Sequence, residues 1–157
     1  MHRDFRDMFR ALSAEGVEFL LVGGYALAVH GHARATGDLD LWLRPTSDNA
    51  ERAMRSLRRF GCPLHGLTVG DLSVPGTIFQ IGVPPWRIDL LTSIEGVDFA
   101  DAWKRRVVHE QDGIPISTLG RADLIRNKEA VGRPQDLADA ARLKCRSTSG
   151  RRSRRSR

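Results

Sequence analysis

The stretch "VGGYALAVHGHARATGDLDLWL", Val22 to Leu43, decides the fold. It opens where an apolar run, "VEFLLV", ends on two glycines, and it closes on the alternation "DLDLWL". A two-residue period is the mark of a β-strand, so Asp38, Asp40 and Trp42 share one face while Leu39, Leu41 and Leu43 share the other. Between the two strands, "YALAVHG" is long enough for a short helix that ends at Gly31. The order strand, Gly-Gly, helix, strand therefore sets two carboxylates on one face of a strand whose other face is apolar.

Outward from this unit the pattern alternates. In "DFRDMFRALSAEG", Phe5, Met8, Phe9 and Leu12 recur at helical spacing before Gly16. "SDNAERAMRSLRRFG" predicts a helix capped by Ser47 or Asp48, with Ala50, Ala53, Met54 and Leu57 inside. "TIFQIG" and "WRIDLLT" read as a strand pair across "VPP", and the second strand sets Arg87, Asp89 and Leu91 opposite Trp86, Ile88 and Leu90. "VDFADAWKRR" predicts a helix capped by Asp98, "GIPIST" a short strand, and "RADLIRNKEAVG" and "PQDLADAARLK" two closing helices. Intermingled strands and helices imply an α/β or α+β domain.

With 157 residues, 41% of them apolar, the chain is sized for one domain with a real core. The net charge of +6 is local: seven basic residues and no acidic ones follow from Lys144 onward, leaving 18 basic against 19 acidic residues in the body. Residues 1–143 are expected to form the domain and 144–157 a disordered basic tail, able to contact nucleic acid without reading sequence. A solubilising or incidental tail is an equal alternative. No apolar run is long enough for a bilayer, and the first residues lack a secretory core, so the expectation is a cytoplasmic protein with no membrane contact. Cys62 and Cys145 lie far apart and are expected to be free thiols.

Two carboxylates at i and i+2 on a strand bring their oxygens close enough to share a hard divalent cation, and repel each other without one. Magnesium, or manganese, suits such donors. Gly23 and Gly24 uncover backbone N–H groups where a short helix starts, a place that favours phosphate. Arg34 and Thr36 add a guanidinium and a hydroxyl on the approach to Asp38, and Asp89 supplies a third carboxylate from another strand, as two ions and an attacking hydroxyl require.

Taken together, "GG…R-A-T-G-D-L-D…R-I-D-L" resembles the DNA polymerase beta-like nucleotidyltransferase superfamily, with its Gly-Gly or Gly-Ser turn, D-x-D pair and later strand aspartate. "D-L-I-R-N-K", Asp123 to Lys128, is similar to a motif of the abortive-infection type nucleotidyltransferase toxins, and the likeness runs on through "GRPQDLADAARL". It is closer to small bacterial members carrying "GGYA…HG…R-A-T-x-D-L-D". Two departures stand out: Gly24 replaces the serine usual in the toxins, and the chain is shorter than most of them. The resemblance implies a mixed central β-sheet flanked by helices, with C-terminal helices. It implies Asp38, Asp40 and Asp89 as catalytic metal ligands for Mg²⁺ on a nucleoside triphosphate, and Gly23, Gly24, Lys128 and Arg34 around the phosphates. The reaction implied moves a nucleoside monophosphate to an acceptor hydroxyl on an RNA end, a protein or a small molecule, with release of pyrophosphate. The alternatives are a toxin–antitoxin component acting with a partner protein, and a non-catalytic nucleotide- or RNA-binding module.

Several residues carry structural readings beside these. Asp123 is placed to cap its helix, and Lys128 reads equally as an exposed helix lysine. His30 and His32 flank Gly31 without a further ligand cluster, which favours turn packing or substrate contact over a metal. Trp42 fits the core better than base stacking, and Trp86 and Trp103 read as packing residues.

Overall fold

The computed structural model describes residues 1–149, with side chains through Cys145. Of the disordered tail expected over 144–157, residues 144–149 are instead helical, and residues 150–157 lie outside the described residues. The elements run α1 (Arg3–Ala14), β1 (Phe19–Val22), α2 (Gly23–Val29), β2 (Asp38–Leu43), α3 (Ser47–Phe60), α4 (Val69–Leu72), β3 (Ile78–Val83), β4 (Trp86–Leu91), α5 (Phe99–Lys104), β5 (Val107–Gln111), β6 (Ile114–Thr118), α6 (Arg121–Val131) and α7 (Pro134–Ser149).

The six strands form one mixed sheet in the order β3-β4-β2-β1-β6-β5. β1 pairs antiparallel with β2 and parallel with β6, while β2 and β4 run parallel. This is the α/β architecture of a central mixed sheet with helices on both sides. On one face, Phe5, Met8, Leu12, Ala53 and Leu57 of α1 and α3 pack on the leucines of β2 and on Ile88 and Leu90. The other face joins Leu20, Val22 and Trp42 to Phe99 and Ala102 of α5, Leu124 of α6 and Leu143 of α7. The alternation along β2 thus separates two cores, and its acidic positions fall on the α5–α7 side.

Local signals explain most boundaries. α3 starts one residue earlier than the cap expected at Ser47 or Asp48: Thr46 is the N-cap, its hydroxyl accepting from the Asn49 N–H. Gly61 ends that helix in the left-handed conformation. Asp98 caps α5 as expected. Asp123 does not cap α6, whose N-cap is Gly120. It sits in the first turn, 1% exposed, and accepts a two-pronged Arg105 fork at 2.9 and 3.0 Å and Arg126 at 2.7 Å. Trp42 is a core residue, edge-on to Phe99 at 4.9 Å. Trp86 packs as expected, stacked on the His2 ring and edge-on to Phe5, although it is 45% exposed. Neither Cys62 nor Cys145 is in a disulfide among the described residues. Among the described residues no helix is long and apolar enough to cross a membrane.

Candidate active site

The parallel register of β2 and β4 builds the site. It sets Asp38 beside Arg87 and Asp40 beside Asp89, so three carboxylates and one guanidinium occupy adjacent positions on one sheet face. Arg87 spans the group. Its Nε donates to Asp89 at 2.9 Å, and its Nη2 donates to Asp89 at 3.2 Å and to Asp38 at 3.1 Å. Asp40, the middle carboxylate, has no ion pair among the described residues. Burial first, then the negative charges of Asp89 and Asp38, push its carboxyl up to about 7, with Lys128 and Arg87 opposing only in part.

Gly23 meets this row from α2. Its φ is 69°, and a Cβ there would fall 2.3 Å from Oδ2 of Asp40. A side chain at position 23 is therefore excluded both by backbone conformation and by the carboxylate it would strike. Gly24 is similarly close to Thr36, where a Cβ would lie 3.0 Å from Cγ2. The glycine pair is what lets the backbone approach the acids.

Seven of the eight residues singled out in the sequence, Gly23, Gly24, Arg34, Thr36, Asp38, Asp40 and Lys128, line one cavity of about 650 Å³. Asp89 is the eighth, 7% exposed and in register beside Asp40. Lys128 is not an exposed lysine: its side chain is 7% exposed, with Nζ 3.3 Å from both Asp136 and Asp139. Arg34 donates to Asp139 at 3.2 Å, while its own Nε is buried without a partner. Arg133 forks onto Asp136, and it and Lys128 hold that carboxyl below its ordinary range although burial opposes them. His30 is a packing residue, its Nε2 within 2.8 Å of the Leu119 carbonyl oxygen.

Arg87, Asp136 and Asp139 were not singled out by the sequence reading. Arg87 would have needed the strand register. The two acids had a signal: spaced three apart, they fall in line with Ala140 and Leu143 on one side of α7.

Donor chemistry decides whether these residues suit a divalent cation. As arranged, no three carboxylate, imidazole or thiolate groups among the described residues form a ready metal cage. Arg87 engages both oxygens of Asp89 and one of Asp38. The donors are nevertheless hard oxygens, and Asp40 is raised by burial and by the negative charges of Asp89 and Asp38, which a cation would offset. The residues fit the group in kind.

The fold is shared with solved nucleotidyltransferase structures. One is a candidate nucleotidyltransferase from Thermotoga maritima, matching with a TM-score of 0.60 at 16% identity over 92% of each chain. A second is ANT(2″)-Ia, solved in complex with adenylyl-2″-tobramycin. It matches with a TM-score of 0.55 at 14% identity over 91% of this chain and 86% of that one. No protein-family model and no curated protein sequence matches the chain.

Proposed function

We propose that this protein is a nucleotidyltransferase that moves a nucleoside monophosphate from a nucleoside triphosphate to an acceptor hydroxyl. The observation that carries this reading is the in-register row of Asp38, Asp40 and Asp89, with Asp40 against the Gly23 backbone and Asp38 and Asp40 lining one cavity with the glycine pair. The shared fold supports it. The bond formed joins the acceptor oxygen to the α-phosphorus; the bond broken joins that phosphorus to the bridging oxygen of pyrophosphate, which leaves with the electron pair.

Asp38, Asp40 and Asp89 would hold Mg²⁺, which when bound supplies positive charge to the triphosphate and acidity to the acceptor hydroxyl. Asp89, the innermost of the three, takes the acceptor proton. Arg87 keeps the row partly neutralised and fixes the Asp38 and Asp89 side chains relative to one another. Arg34, whose side chain is 31% exposed, and the Gly23 and Gly24 backbone provide donors for phosphate oxygens. Lys128 contributes its charge from a fixed position, since two carboxylates already hold its ammonium.

The test incubates the protein with each labelled nucleoside triphosphate, Mg²⁺ and a cell extract, and follows pyrophosphate release and label transfer. The expected result is transfer to one class of acceptor, reduced about a hundredfold or more by Asp40→Ala or Asp89→Ala. Undiminished release in either variant overturns the reading, and nucleotide binding without any release leaves a binding module.

A further inference from the structure

We infer that the sheet carries a second ligand site, on the face opposite the acidic row, for a small uncharged molecule built on one or two flat rings with one hydrogen-bonding group. None of its lining residues belongs to the cavity that holds Asp38 and Asp40.

Strand β2 stands between the two sites. Leu39 lies between Asp38 and Asp40 in the chain, and the two-residue period turns it to the α1 side of the sheet, where it joins Leu21 of β1 and Phe5 and Phe9 of α1. These four side chains are no more than 4% exposed, yet they line a cavity of about 390 Å³ that α2 and β5 complete. Protein interiors are packed at crystal density and leave few voids larger than a water molecule, so a space of this size reaching into the core has room for a guest. Its volume falls within the range of about 300–1,000 Å³ usual for small-molecule sites.

The lining specifies the guest's chemistry. None of its side chains is an acid, a lysine or an arginine. Burial pushes the His109 imidazole down from its ordinary value, so this ring too is neutral near pH 7. The remaining charge is the amino group of Met1, a residue 46% exposed and so left to water. A charged guest would lose its hydration here without a side chain to replace it. Rings dominate the wall: Phe5 stands edge-on to Tyr25 at 5.5 Å, and the Tyr25 hydroxyl is already engaged, donating to the Thr36 carbonyl oxygen at 3.3 Å. Flat ring systems pack on such faces and edges. Polarity comes from one side, where His109 and Gln111 stand two apart on β5 and share a strand face. The His109 Nδ1 is 3.4 Å from the Thr118 hydroxyl, which leaves Nε2 and the Gln111 amide to meet one polar group on the guest.

The test is calorimetric titration with 2-naphthol, two fused rings with one hydroxyl, and with naphthalene-2-sulfonate, the same rings with a charge. The wild-type protein is expected to bind one 2-naphthol saturably and the sulfonate at least about tenfold more weakly. Ala28→Phe on α2 and Gln111→Phe on β5 each place a ring in the cavity from an exposed position, which spares the core. Each is expected to weaken 2-naphthol binding at least about tenfold while keeping the wild-type melting temperature. Val108→Phe, on the opposite face of β5, is expected to bind like the wild type. Absence of saturable binding, equal affinity for the sulfonate, undiminished affinity in either filled variant, or an equal loss in Val108→Phe overturns the site. The nucleotidyl-transfer reading stands whichever of these is found.

Discussion

The acidic row on β2 and β4 and the ion cluster between α6 and α7 each contribute residues to one cavity and use the same residue types, yet their charges are balanced differently. In the helical cluster each aspartate has several partners: Asp136 has Lys128 and Arg133, and Asp139 has Lys128, Arg34 and Gln135. In the strand row Arg87 serves Asp38 and Asp89, and Asp40 is left with a carboxyl near 7. A satisfied cluster holds elements together, whereas an unsatisfied one costs the fold free energy that a bound cation would return.

The largest expected effect tests the satisfied side. Lys128→Met leaves Asp136 and Asp139, 3% and 1% exposed, short of their shared cation. It should cost about 3 kcal/mol or more of stability in urea denaturation. A variant that keeps its stability and loses only nucleotide affinity would make Lys128 a phosphate ligand first and break the comparison.

Arg87→Gln tests the unsatisfied side. It should lower the Tm in metal-free buffer, and Mn²⁺ should restore more of the Tm in the variant than it adds to the wild type, because the variant has more uncompensated charge. Equal Mn²⁺ shifts in both proteins would mean that Arg87 does not offset the charge a metal would meet.

Asp40→Asn sharpens the same point through pH. Folding raises this carboxyl from 3.8 to about 7, so the folded state favours the protonated form, and wild-type stability should fall as pH rises through that window and level off above it. The amide cannot titrate. Its advantage in thermal melts should be absent near pH 4 and complete above about pH 7. A constant difference at all pH values would place the effect in packing rather than charge.

The smallest effect is expected at the rim. Arg133 is 75% exposed while its partner Asp136 is buried, and Arg133→Ala should cost about 0.5 kcal/mol, since solvent screens the pair and Lys128 remains. A loss as large as that of Lys128→Met would erase the distinction between buried and rim cations.

The sequence disclosed the strand row more readily than the helical cluster. Period-two alternation put Asp38 and Asp40 on one face and identified Asp89, and β2 and β4 place them where that pattern implies. Arg87 was on the page as a neighbour of Asp89, but its link to Asp38 depends on which strands pair and in what register, which periodicity does not contain. α7 misleads a hydrophobic reading directly: Leu137 is 49% exposed, while Asp136, Asp139, Ala140 and Leu143 form the buried stripe. Half of that stripe is acidic, so the usual apolar signal points the wrong way. β5 was missed because its residues are largely exposed on an edge strand, and α4 because four residues are too few to establish a period.

The bond between Arg34 and Asp139 joins positions 105 residues apart in the chain. Contacts of such separation carry the loop-closure entropy of the long stretch of chain between them. The contact ties the segment before β2 to α7, which lines the cavity through Asp136. A chain cut before α7 would therefore lack the side of the cavity that Asp136 lines, although the strands that carry the acidic row all precede it.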